Sequence, residues 1–109
     1  MTTSDINSTS STTSGFHSAD GYLDRIEQMA AMLMPVRDIA LLMEMTREDT
    51  EAFCYAVKNG LDTPISMAYR RGRLQTKLAL RSKVVDYALK GSPTAQPMAD
   101  EYLKENDLA

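Results

Sequence analysis

Residues 64–90 read PISMAYRRGRLQTKLALRSKVVDYALK, and how this stretch is parsed decides the fold. Thr63 and Pro64 together form a helix start. The threonine hydroxyl can accept from an orphan backbone N–H, and a proline in the first turn gives up an N–H that the helix would not have used. A stop follows at Gly91. The spacing therefore predicts one helix of about 26 residues, roughly 40 Å long at 1.5 Å per residue. Gly72 lies inside it, costs about 1 kcal/mol relative to alanine, and allows a bend.

Projected at about 100° per residue, the helix carries two apolar stripes. Met67, Leu74, Leu78, Val85 and Leu89 form one; Tyr69, Leu80, Val84 and Tyr87 form the other. Arg70, Arg73, Lys77 and Arg81 lie between them. Two readings stay open. The upstream helices cover one stripe and a C-terminal helix the other, or the stripe of Tyr69, Leu80, Val84 and Tyr87 joins copies into a homo-oligomer.

Working outward, helix signals dominate on both sides. Tyr22, Leu23, Ile26, Met29, Ala30 and Leu33 recur at three- and four-residue steps, predicting a helix over about 19–33 with Ser18 as its N-cap. Pro35 opens a second, PVRDIALLM, with Val36, Ile39, Ala40 and Met43 on one side. Glu44-Met45 makes a tight connection. Thr46 caps a third helix, with Asp49 three residues on as an acidic relative of the capping box. That helix buries Ala52, Phe53, Ala56 and Val57 and stops at Gly60. Downstream, Ser92-Pro93 starts a final helix ending near Lys104, with Pro97 demanding either a kink or a later start. The expectation is an all-α chain: a small orthogonal helical domain with a helix-turn-helix corner, one long helix and a short C-terminal helix. The domain spans residues 19–105.

Residues 1–18, MTTSDINSTSSTTSGFHS, are Ser/Thr-rich with only Ile6 and Phe16 as sizeable apolar side chains, and are read as a disordered tail. They lack the basic start and apolar core of a signal peptide. No apolar run approaches the roughly 18 residues that span a bilayer. A lone cysteine, Cys54, excludes an internal disulfide and fits a small buried hydrophobe in a reducing cytoplasm.

The net charge of −3 hides a division. Residues 1–62 hold four basic and ten acidic side chains, residues 63–95 seven and one, and residues 96–109 one and four. Positive charge is thus concentrated in the long helix, at Arg70, Arg71, Arg73, Lys77, Arg81 and Lys83. This row is either a solvated face, a surface for nucleic acid or an acidic protein, or a partner for acids of the third helix.

Catalytic chemistry finds little footing. The one histidine, His17, lies in the tail, so no histidine-based acid–base pair or multi-histidine metal site forms. No Gly-rich phosphate loop or nucleophile elbow occurs. The expectation is a non-enzyme with no catalytic residue, metal or cofactor.

Residues 36–57 have the layout of a helix-turn-helix. Ile39 and Ala40 supply an apolar-then-small pair where two helices cross, Met45 plugs the turn, and Phe53 anchors the second helix. Glu44 stands where glycine is common. The second helix offers Arg47 and Thr50 to a duplex, but also Glu48, Asp49 and Glu51, which repel phosphate. The stronger phosphate candidates are Arg70, Arg71, Arg73, Lys77 and Arg81.

The order of these features resembles the small terminase subunits and related homeodomain-like proteins of tailed phages and prophages. The resemblance covers residues 33–105, rests on Ala68, Tyr69 and Gly72 and on the ALKGSPTA junction at 88–95, and is short and degenerate in its motifs. It implies an N-terminal helix-turn-helix that reads packaging-site DNA through Arg47, Glu48, Thr50 and Glu51. It further implies a following helix pair that builds the oligomer, and a large catalytic subunit supplied as a separate chain. The alternative is a protein-interaction adaptor whose cationic helix docks an acidic partner.

Overall fold

The computed structural model describes residues 19–105 and is all-α, with no strand among the described residues. Its helices are α1 (Ala19–Ala31), α2 (Val36–Leu42), α3 (Arg47–Lys58), α4 (Pro64–Leu89) and α5 (Ala95–Lys104). The tail of residues 1–18, with His17 and the N-cap expected at Ser18, lies outside the described residues. The chain divides into two compact units after Leu74, so that α4 contributes to both.

In the first unit the helix starts follow local chemistry. Thr46 Oγ1 accepts from the N–H of Asp49 at 3.0 Å and caps α3. Thr63 Oγ1 accepts from the N–H of Ser66 at 3.1 Å and does the same for α4. Pro35 sits one residue earlier than expected, as the extended N-cap of α2.

The helix ends share one device. After α3, Gly60 takes φ +66° while Gly60 N–H donates to Val57 and Leu61 N–H to Ala56, a Schellman closure of the last turn. The same pair of bonds closes α1 and α2, but there Leu33 (φ 64°) and Glu44 (φ 57°) occupy the left-handed position. Leu33 therefore leaves the apolar face assigned to the first helix and is exposed.

The core of this unit is Ile26, Ala30, Ile39, Ala40, Phe53, Ala68 and Tyr69. Burying a side chain the size of Phe53 or Ile26 contributes about 1.5–3 kcal/mol. Phe53 and Tyr69 meet edge to face, ring centroids 5.7 Å apart at 83°. Ala52, expected in the core, is exposed, and Cys54 is half-buried.

Gly72 is buried, in an unbroken α4. A Cβ added there would fall on the carbonyl oxygen of Glu27, 2.7 Å from Ala30 Cβ and 2.9 Å from the Ala31 nitrogen. With Ala68 one turn earlier, it forms a small-residue face that lets the backbones of α4 and α1 approach. The glycine marks a close crossing.

The second unit comprises α4 from Gln75 onward and α5, joined by a turn in which Gly91 (φ +94°) closes α4 by the Schellman bonds. Ser92 Oγ accepts from the N–H of Ala95 at 3.2 Å. Helix α5 starts late, placing Pro97 third in it, where its missing N–H is one of those no helix satisfies. Only Ala95 is buried among the described residues of this unit, with Arg81, Val84, Ala88, Ala99 and Tyr102 half-buried.

Candidate nucleic-acid interface and assembly surface

A short helix, α2, a turn at residues 43–46 and a longer helix, α3, place Arg47 and Thr50 at the start of α3. Arg47 is exposed; the Thr50 hydroxyl is half-buried and donates to the Thr46 carbonyl at 2.9 Å, so it serves the helix's own first turn. Glu48, Asp49 and Glu51 are exposed beside them. None of the three forms an ion pair among the described residues. The Tyr22 hydroxyl is pushed above its ordinary pKa, first by burial and then by the charge of Asp49. An open cleft of about 310 Å³ borders this region, lined by Tyr22, Arg25, Leu42, Met43 and Glu44.

Half of the basic row of α4 is committed inside the chain, though not to α3. Arg70 donates to Asp62 at 2.9 Å and to the Leu61 carbonyl at 2.6 Å, while its buried Nε makes no hydrogen bond among the described residues. Arg71 pairs with Glu27 at 3.0 Å. In the second unit Arg81 grips both carboxylate oxygens of Glu105, at 3.1 and 2.6 Å, and stacks 3.9 Å from the centroid of the Tyr102 ring. The bond from Arg81 holds the Glu105 carboxyl below its usual range, with the charges of Arg81 and Lys77 adding to it.

Arg73, Lys77 and Lys83 are exposed. Arg73 lies 5.6 Å from the Tyr69 ring centroid. Of the phosphate candidates on α4, then, Arg73 and Lys77 are the ones presented outward without a salt bridge.

The stripe of Tyr69, Leu80, Val84 and Tyr87 is split. Tyr69 is a core residue of the first unit, 8% exposed. Val84 is half-buried, whereas Leu80 and Tyr87 stand bare at 57% and 56%. The other stripe is bare from Leu74 onward, with Leu78 at 70% and Leu89 at 83% exposed, while Met67 is half-buried. Helix α5 lies against Arg81 and Ala88 with Val84 half-buried among them, so of the second stripe it covers only Val84, and it leaves Leu78, Val85 and Leu89 of the other exposed. The sequence does not announce this seat: it lies along the basic row, where Arg81 buries its stem and keeps its head on a carboxylate.

Among the described residues no helix is long and apolar enough to cross a membrane. No protein-family model, curated protein or solved structure matches the chain.

Proposed function

We propose that this chain is a non-catalytic DNA-binding protein that works as a homo-oligomer, with phage or prophage DNA packaging as its setting and a separate catalytic chain as its enzymatic partner. One observation carries the reading. Among its described residues the second unit buries only Ala95, yet leaves Leu78, Leu80, Tyr87 and Leu89 exposed. A two-helix hairpin this poor in core gains its missing burial from other copies.

Assembly also eases the electrostatic problem. Of the DNA candidates in one chain only Arg47, Arg73 and Lys77 are exposed without a salt bridge, and α3 adds exposed acids to Arg47. Several copies on one duplex multiply a weak phosphate affinity through effective concentration. The helix–turn–helix layout of α2 and α3 supports DNA as the ligand, and the resemblance to small terminase subunits supports packaging as the process.

The test is duplex affinity at two salt concentrations. Binding should weaken as salt rises, and Arg73→Ala with Lys77→Ala should weaken it more than Arg47→Ala. Absence of binding at low salt, or binding indifferent to salt, overturns the proposal. The exposed carboxylates Glu48, Asp49 and Glu51 favour the second reading, an adaptor whose cationic helix docks an acidic protein. It predicts no DNA signal and one stoichiometric acidic partner in a pull-down from the native host.

A further inference from the structure

The C-terminal end of α5 comes to rest on the basic row of α4. Its C-cap residue, Glu105, accepts from the Arg81 guanidinium with both carboxylate oxygens, at 3.1 and 2.6 Å. Tyr102, three residues earlier, sets its ring under the same group, 3.9 Å from centroid to guanidinium carbon. Lys77 precedes Arg81 by one helical turn, and its charge acts on the same carboxylate. One acid thus damps two of the cations on which DNA binding would draw.

The contact has the form of a phosphate contact. A guanidinium offers parallel N–H bonds in a rigid fork, and that fork fits carboxylate and phosphate alike. Glu105 therefore occupies the edge of Arg81 that a duplex would take. Tyr102 engages the face of the guanidinium and leaves the edge alone, so it keeps the head oriented while the partner at the edge changes.

The grip is also open to exchange. The Glu105 side chain is 52% exposed and that of Arg81 27%, and an ion pair so accessible to water is weak. Glu105 ends a helix with little to anchor it, since Ala95 is the one buried residue described in this unit. Arg70 differs, because it spends its donors on the Leu61 carbonyl as well as on Asp62.

We propose that Glu105 masks a phosphate-binding site at Arg81 and Lys77, its carboxylate standing in for a backbone phosphate until duplex DNA displaces it. This rests on the DNA-binding reading above and goes beyond it by building a brake on affinity into the chain itself.

Duplex affinity of full-length variants at low salt tests it. Glu105→Gln should bind about fivefold more tightly than wild type, the upper end of what release from an exposed ion pair returns. Glu101→Gln removes the same charge from an exposed position of α5 and should gain less than about twofold, because solvent and salt screen it. In an Arg81→Gln background Glu105→Gln should give no comparable gain, because the site it unmasks is gone. If Glu105→Gln loses helical circular dichroism, Glu105→Asp replaces it. That variant keeps the charge and shortens the reach, and its gain should likewise require Arg81.

Equal gains from Glu105→Gln and Glu101→Gln, or a gain that survives the loss of Arg81, would trace the effect to bulk charge. Either overturns the inference and leaves DNA binding standing, as does an affinity unchanged in Glu105→Gln. Failure of wild type and Glu105→Gln alike to bind at low salt overturns both.

Discussion

The two units solve the problem of burial in opposite ways. The first packs four helical segments around Ile26, Ala30, Ile39, Phe53 and Tyr69, with small residues at the tightest crossing. The second holds two helices together with little more than Ala95, a stacked arginine and a carboxylate. One is organised by excluded water, the other by polar contacts at the surface. Apolar burial is worth far more than exposed ion pairs, whose median contribution is about 0–1 kcal/mol. Stability within a single chain therefore resides in the first unit.

Four substitutions sharpen or break this contrast. The largest effect is expected at Gly72. In Gly72→Ala the methyl group overlaps backbone atoms of α1, and overpacking of this kind costs about 1–3 kcal/mol, beyond the roughly 1 kcal/mol that alanine returns in helix propensity. Urea denaturation should show a clear net loss of the first unit's stability. An unchanged midpoint would mean that the crossing is looser than described.

A gain of about 1 kcal/mol is expected from Glu44→Gly, because glycine takes the left-handed conformation without the steric cost that Glu44 bears at φ 57°. A rise in the unfolding midpoint at constant denaturant slope would show it. The converse, Gly91→Ala at φ +94°, should weaken the second unit by imposing that strain.

The smallest effect concerns acid. Arg81 lowers the pKa of Glu105, so the folded state binds that proton less readily than the unfolded chain. The stabilisation is present above the ordinary glutamate pKa of about 4.3 and is lost as pH falls through the lowered value. Glu105→Gln should make the second unit's acid unfolding less steep across that window, while the first unit's profile stays unchanged. Equal shifts in both would contradict the assignment of this clamp to the second unit.

Much of the helical frame was legible because its signals are local. Thr46, Thr63, Gly60 and Gly91 each act on backbone groups within a few residues, so their roles can be read before any fold is known. Leu33 and Glu44 were not legible, since neither favours a left-handed backbone and the turns impose it. The meaning of Gly72 was missed because propensity gives the cost of a glycine without showing its neighbour. The partners of the cations were not legible for a related reason. Arg71 finds Glu27 at a separation of 44 residues and Arg81 finds Glu105 at 24, distances over which charge patterning carries no address. The two stripes of α4 were visible in the sequence; that α5 would cover only Val84 of them, beside Arg81 and Ala88, was not.

The tight seat of Gly72 also has a genetic consequence. Every amino-acid replacement at that codon introduces a Cβ, so the position should be closed to missense change whether or not the protein ever meets another copy. Positions 78, 80, 87 and 89 differ, because their side chains project from a lone chain and polar replacements there cost its fold little. A saturation screen selecting for folded protein alone should therefore reject changes at 72 and accept them at these four. A screen selecting for biological activity should reject both groups. If copies associate as proposed, the difference between those two maps would mark the contacts between them.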